Sequence, residues 1–237
     1  MFLSEILYPV HPEKFRKEIL GKKLYWWKAP SGASERYSNL YSWEHFESYM
    51  NNWENANHVQ MAEADDEKQN GEDGKWDKGR HGKLSKADVY NLWRHGHSIV
   101  LPFCEYQSKH LWSVVNTFEK QMPFGKGCAN MYCSSRQNSH TFDPHRDSTE
   151  NFLFHIDGQV KWKFYKQGKS GKPKQFEDII LGRGDLLYIP IGLIHKTQPI
   201  GPRLTASVHF QPKPEKLNRE KMYDWYRWFE YQREIKI

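Results

Sequence analysis

The residues best suited to chemistry lie in the segment TFDPHRDSTENFLFH at positions 141–155. His145 and Asp147 are two positions apart, and alternate residues of an extended chain share a face, so an imidazole and a carboxylate would point the same way. A second imidazole, His195, follows an apolar run bounded by Gly-Asp and Pro-Ile-Gly turns. Two imidazoles and one carboxylate can bind one face of an octahedral ion and leave the other positions open, as in non-haem Fe(II) sites that use oxygen. We therefore predict that His145, Asp147 and His195 are metal ligands and form the catalytic centre.

Two alternatives to an iron site stay open. The same donors can hold zinc in a hydrolase, although zinc is more often bound in a closed site or by three histidines. A short His-x-Asp motif also occurs by chance, in which case these are ordinary histidines at strand ends. The turns around His195 make a chance motif the weaker of these explanations.

The elements that must position these residues are mainly β-strands. From residue 128 to residue 212 the apolar pattern has a period of two, interrupted by Gly and Pro turns. Before this region, capping residues and helical apolar spacing predict helices over 12–20, 42–53, 84–96 and 108–122, and strands over 23–28 and 97–103. The polar, Gly-rich segment 62–83 is predicted to be a loop.

Composition limits the class of protein. The net charge of +6 would suit an acidic partner or a nucleic acid, but the basic residues are spread along the chain, which is typical of a solvated surface. The three cysteines, Cys104, Cys128 and Cys133, have no C-x-x-C spacing, so we expect a reducing, cytoplasmic setting without disulfides. No stretch approaches the ~20 apolar residues of a membrane span, so we expect a soluble protein with no membrane partner.

Several motifs together resemble one known family. The ordered segments NMYCSS, FDPHRDSTENFLFHIDGQVKWKFY, GDLLYIPIGLIHKT and SVHF resemble the JmjC and cupin-like 2-oxoglutarate oxygenases, most closely the ribosomal oxygenases. The pattern H-x-D-x-x-x-N-F is also similar to that of the asparaginyl hydroxylase called factor inhibiting hypoxia-inducible factor. The resemblance implies a mainly β fold with flanking helices around a double-stranded β-helix, a jelly roll of the cupin kind. It also implies the use of Fe(II), 2-oxoglutarate as cosubstrate and O2, with iron held by His145, Asp147 and His195.

The resemblance implies further residues that face the cosubstrate. Asn151 and Tyr132 match family positions that face 2-oxoglutarate, and Ser207 lies beside it on the last strand of the barrel. By the same resemblance the chain is expected to be a dioxygenase that hydroxylates a side chain of a protein or peptide. A catalytically silent binding module, or an oxygenase acting on RNA or on a small molecule, remains the alternative.

One position departs from the family pattern. The Lys or Arg that usually binds the far carboxylate of 2-oxoglutarate, two residues before Trp162, is replaced here by Val160. Lys161 is adjacent, but strand alternation directs it to the opposite face unless a bulge intervenes. On the last strand, polar and apolar residues alternate, so the polar set is predicted to face inward. We therefore predict that Arg203 binds this carboxylate with Thr205 and Tyr132 as hydrogen-bonding partners, and keep Lys161 as the alternative.

The length is typical of one domain. We expect a single JmjC or cupin-like domain over 1–237, with helical and strand elements over 1–125, a β-helix core over about 126–212 and a C-terminal helix over 214–237. That helix would carry a large aromatic surface, which predicts a homodimer, unless the surface covers the outside of the barrel. The residues that form this surface are Met222, Trp225, Tyr226 and Phe229.

Overall fold

The computed structural model describes residues 2–51, 59–62, 86–167 and 173–212. The predicted C-terminal helix at 214–237 lies outside these residues, and so does the predicted loop at 62–83 apart from its first residue. Nothing structural therefore bears on the aromatic surface or on the loop.

Helices occupy the N-terminal half of the chain. They are α1 Leu3–Ile6, α2 Pro12–Glu18, α3 Trp43–Asn51, α4 Lys86–Arg94 and α5 Lys109–Gln121. Pro12 begins α2, where its missing amide hydrogen is not needed, and Ser108 caps α5 by accepting a hydrogen bond from the Leu111 amide at 3.3 Å. The four helices predicted from the sequence correspond to α2–α5, whereas the single-turn α1 and a short 3-10 helix at Cys104–Gln107 were not predicted. Among the described residues, no helix has the length and apolar character needed to cross a membrane.

Eight antiparallel strands form the rest of the fold within the described residues. They are β1 Tyr25–Trp27, β2 Gln60–Ala62, β3 Ser98–Leu101, β4 Phe124–Ser134, β5 Glu150–Gln167, β6 Pro173–Leu181, β7 Leu186–Ile189 and β8 Ile194–Pro212. In the sheet they follow the order β1-β7-β5-β8-β4-β3-β2, and β6 pairs with β5 beside this path. The first half of β5 pairs with β7 and its second half with β6, while β8 pairs with β5 along most of its length.

The two long strands bend together near their middles. The register between β5 and β8 shifts between His155 and Asp157 and again between Gly158 and Val160. Gly158 has φ +76°, and a Cβ there would lie 1.9 Å from the Pro202 carbonyl oxygen, so only glycine fits this close approach. The bend lets each long strand belong to two opposed layers, which is the jelly-roll arrangement that the sequence predicted.

Alternation along the strands separates two apolar cores. On β5, Phe152 and Phe154 face the helices, and the Phe152 ring lies 4.4 Å from that of Phe118 on α5. Leu153, between them, belongs to a second core inside the barrel together with Val160 and Trp162. Strand β8 alternates in the same way, with its apolar residues Leu204, Ala206, Val208 and Phe210 on the helix side. The inner face of β8 is therefore polar, as its sequence predicted.

Candidate active site

Main-chain pairing brings the two predicted histidine ligands together. His145 and His195 form an isolated antiparallel bridge, in which each amide donates to the other carbonyl at 3.1 and 3.0 Å. Asp147 follows two residues later, and its carbonyl accepts from the Gly192 amide at 3.0 Å, which ties it to the turn before β8. One nitrogen of each imidazole and one carboxylate oxygen consequently lie within 4.8 Å of one another.

Hydrogen bonds set the tautomer of both imidazoles. Nδ1 of His145 lies 2.7 Å from the Asp143 carbonyl oxygen, and Nδ1 of His195 lies 2.9 Å from that of Leu193. Because a carbonyl only accepts, both Nδ1 atoms carry the hydrogen and both Nε2 atoms keep a lone pair. These Nε2 atoms face Asp147, at 3.7 Å from Oδ1 for His145 and 3.4 Å from Oδ2 for His195. The donor set fits a divalent transition metal.

Exposure differs among the three donors. The side chain of His195 is only 4% exposed, whereas those of His145 and Asp147 are 40% and 32% exposed, so one side of the cluster faces solvent. Burial lowers the pKa of His195, and this effect outweighs the opposing effect of the nearby Asp147 carboxylate. The imidazole is therefore neutral near neutral pH, which is the form that binds a metal.

Asn151 lies against Asp147. Its Nδ2 donates to Asp147 Oδ2, and its own Oδ1 accepts from the Thr149 hydroxyl at 3.2 Å. The resemblance implied that Asn151 faces the cosubstrate; it does line the cavity beside the three donors, but its amide hydrogen is directed to the carboxylate. This chain of hydrogen bonds orients Asp147.

Arg203 is a buried cation that lines the same cavity. It is 2% exposed, its Nε donates to Ser134 Oγ at 3.0 Å, and its Nη1 lies 3.5 Å from Thr205 Oγ1. Within the described part of the chain, no carboxylate lies at salt-bridge distance from this guanidinium. Burial lowers the pKa of Arg203 to about 10, so it stays charged at neutral pH. A buried cation without an anion is costly unless a ligand supplies one.

The other predicted cosubstrate residues fall into two groups. Tyr132 and Ser207 line the cavity with Arg203, and burial raises the pKa of the Tyr132 phenol, so its hydroxyl remains a hydrogen-bond donor. Thr205 lies behind Arg203, where its hydroxyl also contacts Nδ1 of His155 at 2.9 Å. Lys161 is half-buried and is not among the residues that line the cavity, because its neighbours Val160 and Trp162 point inward and strand alternation directs Lys161 to the other face.

Sequence reasoning missed Ser134 and Ser98. Ser134 accepts from Arg203, and its hydroxyl lies 2.9 Å from that of Ser98. Ser134 stands in the NMYCSS motif, but its partner is set by the β4–β8 register, in which Ser134 lies opposite Arg203. Only a prediction of that register would have found it.

Comparison with known proteins agrees with this geometry. The JmjC domain family matches residues 103–217. The bifunctional lysine-specific demethylase and histidyl-hydroxylase NO66 of Dictyostelium discoideum is 26% identical over 143 residues, which cover 54% of this chain and 27% of that protein. Ribosomal oxygenase 1 of Bos taurus is 26% identical over 132 residues, covering 49% of this chain and 20% of that protein. The chain thus spans about a quarter of the length of these relatives.

A solved structure supports the same fold. YcfD, a ribosomal oxygenase from Escherichia coli in complex with cobalt and 2-oxoglutarate, superposes with a TM-score of 0.60 at 15% identity, over 95% of this chain and 57% of that chain. The fold is therefore the cupin-like jelly roll of JmjC proteins. Residues 103–217 match the JmjC domain family, and the resemblance of this chain to the JmjC oxygenases, in particular the ribosomal oxygenases, is confirmed.

Proposed function

We propose that this protein is an Fe(II)- and 2-oxoglutarate-dependent dioxygenase that hydroxylates a side chain of a protein or peptide. The observation that carries the proposal is that one cavity holds both an open cluster of two imidazoles and a carboxylate and a buried guanidinium to which no carboxylate of the described residues is paired. A dicarboxylic cosubstrate with one end at the metal and the other at Arg203 would use both features.

His145, Asp147 and His195 would hold the metal through the two Nε2 lone pairs and one carboxylate oxygen. When bound, Fe(II) supplies the redox chemistry by which oxygen and 2-oxoglutarate hydroxylate a C–H bond. The backbone carbonyls of Asp143 and Leu193 hold the two rings in the binding tautomer. Asn151 holds the carboxylate, so the donors are ordered before the metal arrives.

Arg203 would bind the far carboxylate of 2-oxoglutarate. Its Nε donates to Ser134 and its Nη1 lies 3.5 Å from the Thr205 hydroxyl, which leaves Nη2 to face the carboxylate, while Tyr132 and Ser207 supply hydroxyls beside it. The apolar walls from Leu153, Trp162 and Ile189 would exclude water from the reacting centre.

A protein substrate is supported by the relatives. NO66 is named a histidyl-hydroxylase and lysine-specific demethylase, and two other relatives are named ribosomal oxygenases. We extend the same substrate class to this chain. We also propose that the chain is one domain, because β1, from its N-terminal part, pairs with β7 of the barrel. A homodimer through the tail at 214–237 and a cytoplasmic location, the latter favoured by three free cysteines, are part of the proposal.

Two measurements test this function. Anaerobic addition of Fe(II) and 2-oxoglutarate should produce the weak visible charge-transfer band of a chelated cosubstrate. The Arg203→Met variant should need a far higher concentration of 2-oxoglutarate to give a band of the same intensity. Mass spectrometry of candidate proteins after aerobic incubation should then find a product with one added oxygen atom. Absence of the band at every concentration favours the catalytically silent binding module, and an oxidised RNA or small molecule in place of a peptide would change the substrate class.

A further inference from the structure

A second cavity lies beside the active site. It has a volume of about 270 Å³ and is lined by residues 138–141, Lys163 and residues 196–198. Thr141 and Thr197 line both cavities, and the Thr141 hydroxyl donates to the Thr197 carbonyl at 2.7 Å. This second cavity, which we call the side groove, therefore shares part of its wall with the active-site cavity, and a polypeptide bound in it would pass beside the active site.

The side groove concentrates positive charge. Lys163 on β5 and Lys196 on β8 lie directly opposite each other in the antiparallel register, an arrangement of like charges that is unfavourable in a sheet. Lys196 is compensated by Asp143, whose Oδ1 lies 2.9 Å from its Nζ. Among the described residues, no carboxylate reaches salt-bridge distance of the Lys163 ammonium; its neighbour on β6, Asp178, accepts from Gln175 at 2.6 Å. Within the described ranges, the Lys163 ammonium thus forms no ion pair in the groove.

We propose that the side groove binds the carboxylate of an Asp or Glu side chain of the substrate polypeptide, close in sequence to the residue that enters the active site. This inference rests on the proposed function, since it names a feature of the substrate. A single unpaired ammonium matches one carboxylate, whereas a phosphate group carries about −1.5 to −2 charges and would leave the groove negative. A nucleic acid would need a row of free cations, and the groove offers one.

The neutral groups of the groove agree with a small monoanion. Asn138 and Gln198 are hydrogen-bonded to each other at 2.9 Å, and the Ser139 hydroxyl donates to the Arg136 carbonyl at 2.9 Å. Each of these groups is engaged by one hydrogen bond and is neutral, so they form the walls of the groove and supply no charge. Recognition then depends on Lys163, whose charge should decide which substrate residue is accepted.

The test uses binding, so that it does not depend on turnover. Fluorescent pools of short random peptides, each with Asp, Asn or Lys fixed at one position, are titrated anaerobically with the Fe(II)- and 2-oxoglutarate-loaded protein, and anisotropy is recorded. At one fixed position the Asp pool should bind about five- to tenfold more tightly than the Asn pool. Lys163→Gln should abolish this preference, and Lys163→Glu should reverse it in favour of the Lys pool.

The matched control is Lys166→Glu, which changes the net charge from +6 to +4 just as Lys163→Glu does, because one lysine becomes a glutamate. Lys166 lies on the same strand but outside the groove, with its Nζ 4.6 Å from the Phe176 ring centroid, and its replacement should keep the Asp preference. Equal binding of the Asp and Asn pools at every position overturns the proposal, and so does a Lys166→Glu effect equal to that of Lys163→Glu. Tighter binding of an oligouridylate RNA or of phosphoserine pools overturns it as well. An Asp preference without any charge-transfer band would instead retain the groove and reject the oxygenase.

Discussion

Arg203 offers the sharpest test of the site, because its removal should affect the cosubstrate and spare the fold. The guanidinium has two neutral hydroxyl partners, Ser134 at 3.0 Å and Thr205 at 3.5 Å, and no anion among the described residues. Each such hydrogen bond contributes only about 0.5–1.5 kcal/mol net, and the buried charge itself is unfavourable. Arg203→Met keeps the apolar stem and removes the charge. We therefore expect the free energy of unfolding without ligand to change by at most about 1 kcal/mol.

The effect on 2-oxoglutarate should be much larger. Loss of one side of a buried, hydrogen-bonded charge pair costs about 2–5 kcal/mol of binding, and about 2.7 kcal/mol corresponds to a hundredfold change. The concentration of 2-oxoglutarate that half-saturates the charge-transfer band should rise on the order of a hundredfold, while Fe(II) affinity should persist. Lys161→Ala is the control, because Lys161 does not line the cavity. If Arg203→Met leaves the 2-oxoglutarate requirement unchanged and Lys161→Ala abolishes binding, the assignment of the anchor is wrong.

Three further predictions concern the rest of the site. Alanine at any one of the proposed ligands His145, Asp147 and His195 should abolish 2-oxoglutarate turnover while the circular dichroism spectrum stays near normal. A variant that still consumed 2-oxoglutarate at the wild-type rate would contradict the assignment. Asn151→Ala should weaken Fe(II) or Co(II) affinity about 10- to 100-fold in a direct metal titration, because Asp147 loses its hydrogen bond. Unchanged metal affinity together with weaker 2-oxoglutarate binding would instead show that Asn151 contacts the cosubstrate. Burial lowers the pKa of His155 to about 4, so the native state keeps it neutral while the unfolded chain binds a proton below its usual pKa of 6.5. The free energy of unfolding therefore decreases as pH falls from about 6.5 towards 4, and this group accounts for a loss of about 2 kcal/mol between pH 7.5 and 5. In urea unfolding, His155→Gln should show a shallower pH dependence than wild type.

The sequence by itself determined the parts of this protein that depend on local periodicity. A period of two fixes which side chains share a face, so the pairing of His145 with Asp147 and the inward direction of Arg203 were both predictable. The family resemblance then indicated the jelly roll, and the helices followed from caps such as Ser108. For the shared faces and the helices, the information lies within a few neighbouring residues.

Only the tertiary structure decided which distant residues meet. Arg203 and Ser134 are separated by 69 positions, and their contact depends on the β4–β8 register, which no local pattern encodes. The side groove likewise exists because β5 and β8 pair so that Lys163 faces Lys196. Asn151 illustrates the same limit: alternation directs it into the cavity, but whether its amide meets the cosubstrate or Asp147 depends on the path of the chain between residues 147 and 151. Distances of a few ångströms at the junction of separate elements are set by the packing of the whole barrel, and sequence spacing carries no information about them.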